Sequence, residues 1–285
     1  MILESRFREM YSSGELTPEA TILFRQIVYG HYRRHGRTLP WRETRDPYSI
    51  LVSEIMLQQT QVDRVIGKYI SFLSAFPDFR SLAAAPLDAV LAAWQGLGYN
   101  RRALNLKRCA EAVVTEYGGT LPSTIAELEK LPGIGHYTAR AVAAFAFSVP
   151  SVFIETNIRT VFIHHFFNDS EKVHDREIAP LVEGALDYGN PREWYYALMD
   201  YGAHLKRLHG NPSRRSAHHA TQSPFKGSNR ELRSLILKAI LDRPGITLEE
   251  ITSFLNKPQD AVLSNLKQME AEGFIAKRKG RLFIA

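Results

Sequence analysis

Cysteine is almost missing from this chain. Of its 285 residues only Cys109 carries a thiol. That excludes an internal disulfide and any cysteine-ligated metal or iron–sulfur cluster. Long apolar runs are missing as well, so no segment is suited to span a bilayer. The opening stretch "MILESRFREMYSSGE" is too polar for a signal peptide. A cytoplasmic protein is expected, with no membrane partner, nucleoid-associated in a prokaryote. There are ten histidines, but no pair has the compact spacing of a known metal site with an acidic companion. Alternation of apolar and polar residues, the mark of a half-buried strand, is lacking over the first two hundred positions.

Positive charge and helical periodicity are what the chain has. Lys and Arg number 36 against 30 Asp and Glu, a formal charge of +6. Such a balance suits a polyanionic partner, because each cation placed on a phosphate releases a counterion. "PYSILVSEIMLQQTQVDRVIGKYISFLSAF", "SLAAAPLDAVLAAWQGLG" and "RRALNLKRCAEAVVTEYG" carry apolar residues at spacings of three and four. "TARAVAAFAFSV" is nearly all small and apolar, so it is expected as a buried central helix. Between about His204 and Asn229 the composition turns polar and basic, as in a linker or weakly ordered excursion. Periodicity resumes in "RELRSLILKAILD", "TLEEITSFL" and "PQDAVLSNLKQMEAEG", then two strand-like runs flank Lys279–Gly280. Three helices and a basic hairpin describe a winged helix-turn-helix.

The string "LPGIGHYTARAV" places Gly133 and Gly135 in a tight turn between helices. Glycine there permits positive φ and the close approach of another backbone, and the amides opening the next helix offer a phosphate site. A plain helix–turn–helix connection would read the same from "GxG" alone. The longer string resembles the helix-hairpin-helix of base-excision DNA glycosylases. In that family a carboxylate follows roughly twenty residues on, where this chain has Glu155 in "FIETNIRT". Upstream, "LPWRETRDPYSILVSEIMLQQTQV" is similar to the opening of MutY-type adenine DNA glycosylases, as are "GLGY", "RRALNL" and "ALMDYGA". The resemblance runs from about Gly36 to Ala203.

That resemblance implies an all-α, two-lobed helix-hairpin-helix glycosylase fold followed by the winged helix. The first domain would cover 1–220, with a six-helix lobe at about 47–151 and a second lobe from 1–46 and 152–220. A linker at 221–229 would lead to the winged helix at 230–285. The implied partner is double-stranded DNA with a mismatch or lesion, bound by a monomer.

Releasing a base from deoxyribose sets two demands. The base must be protonated to leave, and the sugar develops oxocarbenium character, so two carboxyl groups in unlike surroundings are needed. The nucleotide must also be everted from the duplex. Glu54 lies in an apolar helix where an unpaired carboxylate is unfavourable. Alone it reads equally as an ordinary salt-bridged glutamate; within "SEIMLQQTQV" the resemblance makes it the acid. Gln58 falls one turn further on the same face, and by resemblance Gln58 and Gln59 insert beside the everted base. Tyr137 stands where bifunctional relatives carry a Schiff-base lysine, which implies a monofunctional enzyme. Glu155 matches the family's catalytic aspartate with one methylene added, and Asn157 its companion. Arg37, Leu39, Trp41, Arg42, Tyr99 and Asp200 are further implied contacts of base or flanking DNA.

Two departures stand out. Most MutY-type enzymes bind an iron–sulfur cluster through four cysteines after the "MDxGA" segment; here "HLKRLHGNPSRRSAHHATQ" has none. No cofactor is expected, beyond room for a monovalent cation at the hairpin. Lys206, Arg207, Arg214 and Arg215 would serve as phosphate contacts or as a solvated linker. Typical relatives also end in a Nudix-like domain that reads 8-oxoguanine, and this chain ends in the winged helix instead. Its Lys277, Arg278, Lys279 and Arg281 would hold duplex DNA, read the opposite strand, or bind a protein. The leading expectation is removal of adenine opposite 8-oxoguanine or guanine. The alternatives are thymine or uracil mismatches or a damaged purine on the same scaffold, and a non-catalytic, structure-specific DNA-binding protein.

Overall fold

The computed structural model describes residues 2–11, 16–167, 170–219, 221 and 223–285. In chain order its helices are α1 (Ile2–Tyr11), α2 (Pro18–His35), α3 (Pro47–Leu57), α4 (Val62–Ala75), α5 (Phe79–Ala84), α6 (Leu87–Trp94), α7 (Arg101–Glu116) and α8 (Ile125–Leu128). Then come α9 (His136–Phe147), α10 (Thr156–Phe166), α11 (Asp175–Ala185), α12 (Pro191–Leu208), α13 (Asn229–Asp242), α14 (Leu248–Leu255) and α15 (Gln259–Ala271). Strands β1 (Ile275–Arg278) and β2 (Arg281–Ile284) close the described chain as one antiparallel pair.

The chain divides into two compact units. The first comprises Met1–Ile50, Ser123–Glu129 and Ile134–Thr221, the second Leu51–Pro122, Lys130–Gly133 and Gln222–Ala285. This partition differs from the expected one in two ways. Helix α9, expected in the lobe ending near 151, belongs to the first unit, because Ala141, Ala144 and Phe145 share a core with Trp194, Tyr195 and Ala197. The winged helix groups with residues 51–122.

In the first unit α12 is the spine, packed against α2, α9 and α10. Pro191 starts it at a position where the missing N–H leaves no acceptor unsatisfied. Around it Phe7, Phe24, Phe162 and Phe166 form a ring cluster with centroids 5.0 to 5.5 Å apart. Each buried aromatic removes roughly 150–250 Å² from water, worth about 4–6 kcal/mol before entropy is counted. As expected, α9 is buried along most of its length.

The stretch expected to be a linker is ordered in its first half. Helix α12 continues to Leu208, a 3-10 turn covers Pro212–Arg215, and Ser216 pairs with Val173. Arg215 secures it by donating to the carbonyls of Ile163 at 3.1 Å and Phe167 at 2.6 Å.

In the second unit α5, α6 and α7 pack around Leu82, Leu91 and Trp94. The winged helix has its own core of Ile236, Leu237, Ile240, Ile251, Val262 and Leu282. Its hairpin pairs Lys277 with Leu282 and Arg278 with Arg281. Lys279 and Gly280 both take positive φ, 50° and 79°, the backbone a two-residue hairpin turn requires.

Candidate active site

Glu155 is a helix cap. Helix α9 ends at Ser148 in the left-handed conformation, and an extended segment leads to α10. That segment is fixed from both sides: the Tyr195 hydroxyl donates to the Ser151 carbonyl at 2.5 Å, and the Tyr195 ring stacks on Phe153 at 3.9 Å. Tyr137, in the first turn of α9, meets Phe153 edge-on at 5.6 Å. Glu155 follows at the N-cap of α10. Its Oε1 accepts from the backbone N–H groups of Asn157 at 2.7 Å and Ile158 at 3.0 Å. These are donors that a helix start otherwise leaves unsatisfied. The added methylene of glutamate is thereby folded back onto the helix terminus.

The network extends into α12. Asn157 Nδ2 donates to Glu155 Oε2 at 3.3 Å, and Lys206 Nζ donates to Asn157 Oδ1 at 2.7 Å. Burial lowers the Lys206 pKa from its ordinary value, against the attraction of the Glu155 charge. A Cβ on Gly202 would fall 2.2 Å from the Asn157 carbonyl oxygen, so only glycine lets α12 touch the start of α10. Lys206 lies one turn beyond Gly202 on the same face. The glycine that admits the contact therefore also aims the lysine.

The same helix carries Asp200, which is buried and accepts from Arg37 and Arg42. Arg37 reaches it through its backbone N–H at 2.8 Å and Nε at 2.7 Å; Arg42 grips it with both terminal nitrogens, at 2.8 and 2.9 Å. Burial opposes the Asp200 charge, but the Arg42 bonds and charge outweigh it and hold the carboxyl below its usual range. Expected at the DNA, Arg42 and Asp200 are instead locked together, and Leu39 and Trp41 lie in the core. Arg37 alone of this set keeps a side chain 36% exposed. Among the expected phosphate contacts, Lys206 and Arg215 point inward while Arg207 and Arg214 are exposed.

In the second unit Glu54 sits in α3 within six consecutive buried residues, Leu51 to Met56. The helix end beyond it is organised by Arg102, a residue whose role the sequence did not disclose. Its guanidinium donates to the carbonyls of Ile55, Met56, Gln58, Leu97 and Gly98 and to the Thr60 hydroxyl, at 2.6 to 3.3 Å. One fork thus ties the Gln58–Gln59 turn to the Gly96–Tyr99 loop. Burial pushes the Arg102 pKa down to about 10. Gln59 and Tyr99 both hold positive φ, 53° and 48°, a strained state for such residues that clusters at functional sites.

The two hairpin glycines differ. Gly133 has φ 78° and a Cβ there would lie 2.6 Å from the Asn105 Cβ, so glycine is required. Gly135 caps α9 at φ −90° with open space around its Cα, so neither reason given for a glycine applies to it. Lys277, Arg278, Lys279 and Arg281 are exposed on the hairpin. A four-cysteine cluster has no ligand set here: the one thiol, Cys109, is buried in α7, with its pKa pushed up to about 12 by burial. Among the described residues no group of three His, Cys, Asp or Glu is placed to hold a metal, and no helix is long and apolar enough to cross a membrane.

A capping carboxylate after a helical hairpin, in a chain that ends in a winged helix, defines a class of protein. Residues 52–183 match the HhH-GPD superfamily of base excision DNA repair proteins, and residues 230–276 match the winged helix-turn-helix DNA-binding family. The chain carries an HhH-GPD-superfamily domain followed by a winged helix. More particularly, it is 38% identical over 194 residues to an adenine DNA glycosylase of Buchnera aphidicola (subsp. Baizongia pistaciae), covering 67% of this chain and 55% of the relative. It is 35% identical over 192 residues to the human adenine DNA glycosylase, covering 63% and 35%. The chain thus spans about half of the first relative's length and about a third of the second's. Among solved structures it resembles a thermostable thymine-DNA glycosylase, with TM-score 0.62 and 27% identity over 70% of this chain and 94% of that one.

Proposed function

We propose that this chain is a monofunctional DNA glycosylase that everts a mispaired base and hydrolyses its N-glycosidic bond, with adenine opposite 8-oxoguanine or guanine as the substrate. One observation carries the reading: a glycosylase-family segment keeps a buried carboxyl at Glu54 and a hydrogen-bonded carboxylate at Glu155, the two unlike acidic groups this chemistry demands. Glu54 donates a proton to a ring nitrogen of adenine, and the bond from the sugar to the base breaks. Glu155 offsets the positive charge that develops on the sugar, held in place by Asn157 and, through it, Lys206. Water then adds to the sugar carbon and its proton returns to Glu54. Tyr137 occupies the position of the relatives' lysine, so no Schiff base forms and the strand stays intact.

The test is a panel of duplexes scored for base release as alkali-labile sites. It contains adenine opposite 8-oxoguanine, guanine or cytosine; uracil and thymine opposite guanine; and 8-oxoguanine opposite cytosine. Adenine release opposite 8-oxoguanine or guanine, without nicking before alkali, is expected. Preferred release of thymine would favour the activity named for the structural neighbour. Tight binding with no release from any duplex would leave a DNA-binding protein and overturn the enzyme.

A further inference from the structure

The second unit contains a cleft of about 1140 Å³ whose walls come from two modules. Gln59, Tyr99 and Asn105 line one side, and Phe225, Arg230 and Gln268, from the segment leading into and forming the winged helix, line the other. The module is docked there by specific bonds. Glu272, just past α15, pairs with Arg101 at 2.7 Å and Arg233 at 2.5 Å, and its carbonyl accepts from Arg108 at 3.2 Å. Arg230 donates to the Tyr99 hydroxyl at 2.5 Å, with its guanidinium 5.2 Å from the ring centre.

The lining has the chemistry of an unpaired nucleotide. Side-chain amides donate and accept in the manner of base edges. The Tyr99 ring and Phe225, which is 51% exposed, offer faces for stacking. Arginine beside aromatic platforms is how single strands are held, by phosphate attraction and by stacking together. A paired, stacked base would present neither face nor edge to such walls. The volume exceeds the roughly 300–1,000 Å³ of a small-molecule site, leaving room for flanking phosphates. The strained backbone at Gln59 and Tyr99 lies on this wall.

We propose that the cleft takes the unpaired nucleotide of the DNA strand across from the everted one, with the winged helix forming half of that pocket. This rests on the base-everting reading above. The winged helix then acts as the reader of the partner base, and its basic hairpin is left for the duplex.

The test uses the full chain and a duplex in which 2-aminopurine faces a tetrahydrofuran abasic analogue, so that no base can be released. Binding should quench the 2-aminopurine emission severalfold. Phe225→Ala and Arg230→Gln should each weaken affinity for this duplex about tenfold, the scale of one lost base stack, and relieve the quench. Affinity for the fully paired duplex should change less than twofold. Phe225 is at the surface, so its variant keeps the fold. Emission that stays unquenched at saturation would overturn the proposal, as would equal weakening of both duplexes, which would mark a general phosphate surface. If the quench behaves as expected while no mispair releases a base, the glycosylase reading fails and the cleft stands.

Discussion

Glu155 and Glu54 belong to different units, and their surroundings have little in common. Glu155 stands at a helix start, where its oxygens accept from two backbone N–H groups and an asparagine amide. Glu54 stands mid-helix, where the backbone donors are already used and the neighbours along the chain are buried. The first address fixes an acceptor by hydrogen bonds; the second fixes a carboxyl by packing alone along its own helix. The units differ in a second respect: all ten histidines lie in the first. Placement of a charged group therefore depends on polar networks in one unit and on a buried helix and one arginine fork in the other.

Acid should separate the units most widely. Burial, with the nearby His204 and His35, pushes the His31 pKa down to about 4, and burial with His164 pushes His165 to about 3. Both are neutral when folded and bind protons more readily when unfolded. Their stabilisation is present above about pH 6.5 and is lost as the pH falls from there toward 4 and 3. At about 1.4 kcal/mol per unit, the two together remove on the order of 5 kcal/mol. Hydrogen exchange corrected for intrinsic rates should show peptides of the first unit losing protection across that window while those of the second keep theirs. Simultaneous loss in both would break the comparison.

The two carboxylates should also respond differently to neutral replacement. Glu54→Gln is expected to lower base release at least a thousandfold, about 4 kcal/mol, with duplex affinity changed less than threefold. Glu155→Gln keeps an oxygen for the cap, so its melting should stay within about 1 kcal/mol of the parent, while base release falls about a hundredfold. Single-turnover rates on the preferred mispair, with urea titrations beside them, check both. An active Glu54→Gln protein would remove that residue from the mechanism.

Arg102→Ala should destabilise the second unit by about 3 kcal/mol, because five carbonyls and a hydroxyl lose a common charged donor. Arg102→Lys keeps the charge without the fork, and should recover less than half of that loss. Urea midpoints measure both. A full recovery by lysine would mean that charge, and not the joining of two loops, is what matters.

Much of this was legible before any coordinates. The 3.6-residue spacing exposed the helices, the Lys279–Gly280 pair exposed the hairpin, and the string around Glu54 exposed the acid. What stayed hidden was side-chain direction. Lys206 and Arg215 read as basic linker residues, yet each turns inward onto a specific acceptor. Arg42 and Asp200 read as pocket residues, yet they satisfy one another in the core. Arg102 lay in a quoted motif without a role, since its six acceptors come from two loops separated along the chain. Linear patterns report which face of a helix is apolar; they carry no information on which polar partner a long side chain reaches.

Gly202 is the finest test, because it joins the polar network of the first unit to its backbone. An added methyl would sit 2.2 Å from the Asn157 carbonyl oxygen, inside any real contact distance. Gly202→Ala must therefore push α12 off the start of α10, lengthening the Lys206–Asn157 bond and loosening Asn157 against Glu155. Overpacking of this kind is expected to cost about 2 kcal/mol of stability, and a displaced carboxylate about tenfold or more in base release. Affinity for a duplex with an abasic analogue should be unchanged, since no DNA contact is assigned to the glycine. Thermal melts and single-turnover rates measured on one preparation separate the effects. If the variant melts early but releases base at the parental rate, the helix contact supports the fold alone, and the position of Glu155 is set by its cap without help from α12.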